Sequence, residues 1–495
     1  MYNQNNYIME LTDYLWIPIL CTFASFFTSW GIGANDCANS FATSVGAKVL
    51  TLRQAVLVAA IFEFTGAFLM GSHVTDTVRK KIVDNSTFEN APEELMWGML
   101  CSVFAAGIWL CIATKFKLPV STTHSIVGAI VGFGLAAKGN SVVDWTTIVE
   151  IVISWVFSPV LSGIFAVLIF LFIKYAALIR ETPVENLYKI YPILIFCLFF
   201  INALFIIYKG TPALSLDDTP LWLSMVCSIS IGIGCALIGQ FIGIPFIKKR
   251  IEVWLINREN QRNDPEQQEI ELSFGEQFTN KSREIVYNNE FNRIDNFKKI
   301  DSDLQELIQI DHFEQIEKRH TTAAVYDETS EKLCSYLQVI TACFASFAHG
   351  SNDVANSIAP LAACWAIYND GIIDSKVTVP LWILAMGGVG IVIGLSTWGY
   401  KVIDRIGKEL TKVTPSRGFP MEMGPAITVL LASRLEIPVS TTHCQIGSVF
   451  GVGLIDGVKN VDFNSLGKII LSWIVTLPVT GGISAGLYCL GHYAP

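Results

Sequence analysis

Two short polar motifs each occur twice in this chain. Residues 33–40 read GANDCANS and residues 350–357 read GSNDVANS, while residues 119–124 and 438–443 both read PVSTTH. The offsets, 317 and 319 residues, make the two pairs parts of one long internal repeat. All four copies are embedded in strongly apolar sequence. Carboxylates, amides and hydroxyls at membrane depth are costly, so they mark the path of a polar substrate. A duplicated polar site inside a duplicated apolar domain is the pattern of a secondary transporter.

The two motifs suit opposite charges. Ser121, Thr122 and Thr123, like Ser440, Thr441 and Thr442, follow a Pro-Val pair and precede glycines at four-residue steps. Proline suits the first turn of a helix and Ser or Thr its N-cap. A helix that begins inside a membrane aims free N–H groups and a partial positive charge into a cavity, and the hydroxyls add donors for an anion. Asn35, Asp36, Asn39 and Ser40 match Asn352, Asp353, Asn356 and Ser357. These are hard oxygen ligands suited to a small cation. Gly31, Gly33 and Gly350 are expected to unwind the chain locally and add carbonyl oxygens. Asn35, Asp36, Asn352 and Asp353 are also placed beside the anion. Neither motif holds a Lys or Arg. Ionised Asp36 and Asp353 repel a bound anion unless a cation lies between them, so coupling to Na⁺ or H⁺ is expected. The residues leave those two open.

Three further polar residues break apolar runs. Glu63 and Glu422 stand at non-equivalent positions of the repeat, and His349 stands where the first copy has Ile32. Ionisable groups in such runs are functional candidates.

The elements that position these residues follow from composition. The chain has 495 residues, 52% hydrophobic and 16% charged, with mean hydropathy +0.47. That is an all-α polytopic membrane protein. The apolar runs give about twelve segments, five, then two, then a polar loop, then five. The domains are 1–180, a first repeat; 181–247, two additional helices; 248–332, a cytoplasmic loop; and 333–495, a second repeat. The segments starting at Pro119 and Pro438 read as broken helices or re-entrant hairpins. Lys248, Lys249 and Arg250 close the seventh segment and place its end in the cytoplasm. Counting outward puts both termini outside, although Arg79, Lys80 and Lys81 then also fall outside. Seven segments separate the starts of the repeats, so the copies cross the bilayer in opposite directions. Residues 291–316 carry apolar positions at helical spacing, an amphipathic helix in the loop. Asn85-Ser86-Thr87 is a glycosylation sequon on the expected outer side. The twelve cysteines are scattered, without metal-ligand spacing. No sustained basic face points to nucleic acid. The N-terminus lacks a basic n-region, so no cleaved signal is expected.

On these motifs, and on the paired segments SWVFSP (154–159) and SWIVTLP (472–478), the chain resembles the inorganic phosphate transporter family, which includes sodium–phosphate symporters. The likeness covers both repeats. It implies twelve transmembrane segments, external termini, a homodimer, and phosphate held near the midplane by the Ser-Thr-Thr segments with Na⁺ close to the Asp motifs; the plasma membrane is the expected location, with an internal membrane left open. Family-essential acids match Asp36, Glu63, Asp353 and Glu422, a family histidine matches His349, and external glycosylation matches Asn85. Cys37 departs from the usual Val. The expectation is a phosphate symporter with no chemical step and no cofactor beyond the coupling ion. A carrier for another oxyanion such as sulfate, and a phosphate sensor signalling through its loop, are the rivals. A hydrolase using His124 or His443 lacks a nucleophile–base–carboxylate arrangement, and without a GxxxxGK[ST] loop an ATP-driven pump is disfavoured.

Overall fold

The computed structural model describes residues 12–72, 75, 82–209, 219–262, 320–371, 373, 379–434 and 439–493. Arg79 to Lys81 and the amphipathic segment 291–316 lie outside the described residues. Among the described residues the chain is nearly all helix, with a single antiparallel bridge between Val83 and Val143. Twelve main helical elements follow in order: α1 (Trp16–Gly46), α2 (Leu52–Met70), α3 (Pro92–Lys115), α4 (Thr122–Lys138), α5 (Trp145–Leu178), α6 (Pro183–Tyr208), α7 (Leu221–Asn260), α8 (Glu328–Asp370), α9 (Leu381–Trp398), α10 (Pro415–Arg434), α11 (Thr441–Ile455) and α12 (Phe463–Tyr493). Among the described residues, nine helices are long and apolar enough to cross a membrane; α4, α10 and α11 are not among them. At 1.5 Å per residue, α4 and α11 reach only about 25 Å and about 22 Å, short of a hydrocarbon core of roughly 30 Å. They are the two helices that begin at the Ser-Thr-Thr motifs. Their caps form as the sequence implies: Ser121 Oγ accepts from the His124 N–H at 3.2 Å, and Ser440 Oγ from the His443 N–H at 3.3 Å.

The helices pack reciprocally. α12 lies on α4 while its counterpart α5 lies on α11; α8 lies on α2 while α9 lies on α1. α3 packs on α1 as α10 packs on α8. Each repeat therefore closes its core with helices of the other. α6 and α7 pair with each other, and α6 rests on α8. Large apolar side chains such as Val152, Val156 and Phe157 of α5, Phe241 of α7 and Leu471 of α12 face outward. That exposed girdle suits lipid rather than water. α7 runs well past Lys248, so the polar loop begins as a continuation of the membrane helix.

The glycines of the two long motifs act differently from the expected unwinding. α1 stays helical through GANDCANS and takes up the irregularity as a π-helical turn, Gly33–Cys37. In α8 the irregularity is one residue, Val354. Gly33 and Gly350 are packing positions. A Cβ on Gly33 would stand 1.8 Å from the Ile391 carbonyl oxygen, and one on Gly350 2.1 Å from that of Glu63. Overpacking of this kind costs roughly 1–3 kcal/mol. Gly33→Ala is expected to lower the melting temperature of the purified protein by several degrees, whereas Gly482→Ala, where nothing lies within 4 Å, leaves it unchanged. Equal melting of the two variants would contradict the close contact of α1 with α9.

Candidate substrate site

The polar motifs meet at one buried centre. α1 delivers Asp36 from its π turn, α8 delivers Asp353 just before Val354, and the N-termini of α4 and α11 face them. Thr122 Oγ1 donates to Asp36 Oδ2 at 2.8 Å, and the equivalent Thr441 Oγ1 donates to Asp353 Oδ2 at 2.8 Å. Asn39 and Asn356 each reach the aspartate one turn earlier at 3.1 Å. The two amides then cross between the repeats. Asn39 Nδ2 donates to Thr442 Oγ1 at 3.1 Å, and Asn356 Nδ2 to Thr123 Oγ1 at 3.2 Å and Thr122 Oγ1 at 3.0 Å. Thr442 also donates to Asp36 Oδ1. Every hydroxyl of the two motifs that reaches the centre is thus spent on a carboxylate or shared with an amide.

The centre is not symmetric in charge. Oxygens of Asp36 and Asp353 and a ring nitrogen of His349 all lie within 4.8 Å of one another. His349 Nδ1 bonds the Glu63 carboxylate, and its Nε2 stands 3.1 Å from Asp353 Oδ2, at ion-pair distance but without hydrogen-bond geometry. Ser346 Oγ donates to the other Glu63 oxygen at 3.1 Å. No counterpart of this triad exists in the first repeat, where Ile32 replaces His349. Glu422 has a separate cradle: Thr43 Oγ1 at 2.7 Å, Ser44 Oγ at 2.6 Å, Gln338 Nε2 at 3.2 Å, and Thr341. The two glutamates do need separate explanations, as their offset in the repeat implies. A cavity of about 40 Å³ touches Asp36, Asn39, Ser40, His349, Glu422 and Thr441. That is room for roughly three waters.

Other named residues fall to different work. Asn35 holds the loop ahead of α4: its Nδ2 donates to Thr114 Oγ1 at 3.1 Å and to the Leu118 carbonyl at 2.9 Å, and its Oδ1 accepts from the Val120 N–H at 3.0 Å. Its counterpart Asn352 is half-buried on α8. Ser357 bonds the Val354 carbonyl and accepts from Ser29 of α1, so it joins helices rather than facing the cavity. Ser121 and Ser440 cap their helices, while Ser40 borders the cavity. Asn85 is buried at 3% exposure, so a glycan there needs the side chain turned outward. His124 and His443 pack edge to face with centroids 4.7 Å apart, between Trp155 and Trp473. Neither ring has a hydrogen-bonding partner among the described residues, so they form no catalytic relay. The sequence reading missed Thr43, Ser44, Gln338 and Thr341. Thr43 had a signal, since it extends the four-residue ladder Asn35–Asn39 on α1.

The oxygens suit a cation. Asn39 Oδ1 is buried without a partner among the described residues, beside the Asp36 carboxylate. Hard oxygens so placed can take a small ion. Asn35 instead carries backbone. Removing it leaves the Val120 N–H and the Leu118 carbonyl unpaired, at roughly 1–3 kcal/mol for a buried polar group. Asn35→Ala is therefore expected to lower thermal stability by several degrees, read by melting of the purified protein. An unchanged melt would mean that the loop before α4 is held by other contacts.

Comparison with known proteins gives the family. The sodium-dependent phosphate transporter 1-B of Xenopus laevis is 31% identical over 660 aligned residues, covering 98% of this chain and 96% of its own. The human sodium-dependent phosphate transporter 1 is 30% identical, covering 98% and 97%. A solved structure of a sodium-dependent phosphate transporter superposes with TM-score 0.75 at 32% identity, covering 97% of this chain and 100% of that one. The model of the phosphate transporter family matches residues 32–484. Its members are transporters rather than enzymes, and the chain belongs to this phosphate transporter family.

Proposed function

We propose that the chain imports inorganic phosphate together with Na⁺ by alternating access, with no chemical step. The observation that carries this reading is the crossed network, in which Asp36 takes the hydroxyls of Thr122 and Thr442 and Asp353 that of Thr441, while Asn356 reaches across to Thr123. A cation at Asp36, Asn39, Asp353 or Asn356 would compete for the carboxylate oxygens. Thr122, Thr441 and Thr442 would then be free to donate to phosphate, joined by N–H groups at the starts of α4 and α11. The cation creates the anion site and offsets its charge, which is a physical basis for coupling. Glu63 and His349 sit behind Asp353 and tune its charge. Glu422, cradled by α1 and α8, ties the moving helices together.

The proposed topology has the two repeats crossing the membrane in opposite directions, which the reciprocal packing supports. The shortness of α4 and α11 supports their starting at mid-depth. The end of the bundle carrying Lys48, Arg258, Lys332, Lys412 and Arg417 is the cytoplasmic one, by the positive-inside rule. Both termini are then external. A homodimer in the plasma membrane is the proposed assembly.

Radiolabelled phosphate uptake in proteoliposomes tests the reading, with Na⁺ or choline outside at two external pH values. Na⁺-dependent uptake at both is expected. Asp36→Asn and Asp353→Asn are each expected to cut it by at least about tenfold, since each removes a charge-assisted contact worth roughly 1.5–3 kcal/mol, in protein that still melts cooperatively. Uptake indifferent to Na⁺ but driven by an inward proton gradient would replace the coupling ion, and no phosphate uptake under any gradient would sink the reading.

A further inference from the structure

The geometry points to a second anion site, remote from the polar centre: the basic cavity where the ends of α1 and α7 meet the starts of α8 and α10, shaped to take a polyvalent phosphate-bearing anion. The cavity measures about 650 Å³ and shares no lining residue with the central one. Its size is that of a small-molecule site.

Five cationic side chains line it against two carboxylates. Arg417 is already matched by Asp456 at 2.5 Å, and Arg258 by Glu328. Glu331 is spent on the start of α10, accepting from the Ser416 N–H at 2.8 Å and Ser416 Oγ at 2.7 Å. Lys48, Lys332 and Lys412 are left with no carboxylate partner among the described residues; Lys412 donates only to the His320 carbonyl, at 3.1 Å. Three unmatched ammonium groups from three parts of the chain repel one another in a shared recess unless an anion joins them. Burial, with the Arg417 charge second, already pushes the Lys412 ammonium below its usual range.

Two further features mark this cavity. Tyr326 lines the cavity at 9% exposure, and its phenolic oxygen is buried without a hydrogen-bond partner among the described residues. Burial pushes that hydroxyl up to about 12, so it stays a protonated donor. Lys48 holds φ at 58°, the left-handed region, at the end of α1. Glycine is the usual residue there, and a lysine is unfavourable for the backbone. Such a conformation persists where the surrounding structure holds it, and here it sets Lys48 at the rim of the cavity. A polyphosphate group bound here would link Lys48 of the first repeat to Lys332 and Lys412 of the second. It would restrain the movement of the repeats and slow transport.

The test uses the full chain in phosphatidylcholine nanodiscs, titrated calorimetrically with inorganic tripolyphosphate. A second arm replaces the soluble ion with a phosphorylated inositol lipid in the disc. Lys48→Gly, Lys332→Gln and Lys412→Gln are each expected to weaken binding about tenfold, the value of one charged hydrogen bond. Lys48→Gly is expected to do so while melting no lower than the parent, because glycine relieves the backbone. Lys117→Gln, at the other left-handed lysine (φ 56°) and outside the cavity, should bind as the parent does. Asp36→Asn should also leave tripolyphosphate binding intact, which separates this site from the central one. Binding in the lipid arm alone, lost in the lysine variants, assigns the ligand to a headgroup. Absence of binding in both arms, or binding indifferent to all three lysines, overturns the proposal.

Discussion

Two aspartates are buried where two helices face the starts of two others, and the rest of the structure is arranged around keeping them satisfied. An uncompensated buried carboxylate costs several kcal/mol. Asp36 and Asp353 avoid that cost with hydroxyl and amide donors. The donors do not all come from the same repeat: Asp36 takes a bond from Thr442, and Asn356 reaches back to Thr122 and Thr123. A single repeat would leave part of this network open. The polar centre therefore requires both copies, for the same reason that the apolar core does, since α5 and α12 each cover the short helix of the other copy.

The two halves of this centre are chemically unequal. Asp353 has an imidazole at ion-pair distance, itself bonded to Glu63, while the first repeat has an isoleucine in the histidine position. Glu422 lies on neither aspartate but joins α1 to α8 through Thr43, Ser44, Gln338 and Thr341. A shape-symmetric frame with asymmetric charge lets the two cation candidates differ in affinity without breaking the fold. The cavity beside them has room for only a few waters. In the proposed cycle, occupation by phosphate accompanies a rearrangement of the hydroxyls.

Much of this was legible in the sequence, because the demands of a membrane are severe. Apolar runs and duplicated polar motifs disclosed the helical class, the repeat and the convergence of Asp36 and Asp353 with the Ser-Thr-Thr segments. The caps at Ser121 and Ser440 followed from residue type alone. What a sequence could not disclose was which partner each polar atom finds. Asn35 and Asn39 look alike four residues apart, yet one holds a loop and the other crosses to Thr442. Gly33 reads as a point of flexibility, but its value is the absence of a Cβ against Ile391. Periodicity also hid that α7 runs on past Lys248, since the helix outlasts its apolar stretch. These outcomes are fixed by tertiary contact rather than by local pattern.

The central claim is that a cation at the aspartates releases the threonine hydroxyls for phosphate. Linkage makes it measurable, because two ligands that favour each other must do so by the same factor. The most direct measurement is phosphate binding to the purified protein by calorimetry across a range of Na⁺ concentrations, paired with Na⁺ binding across a range of phosphate concentrations. The expected result is that phosphate affinity rises with Na⁺ and that Na⁺ affinity rises with phosphate by an equal factor. Phosphate affinity that stays constant as Na⁺ is varied would contradict the exchange of partners at Asp36 and Asp353.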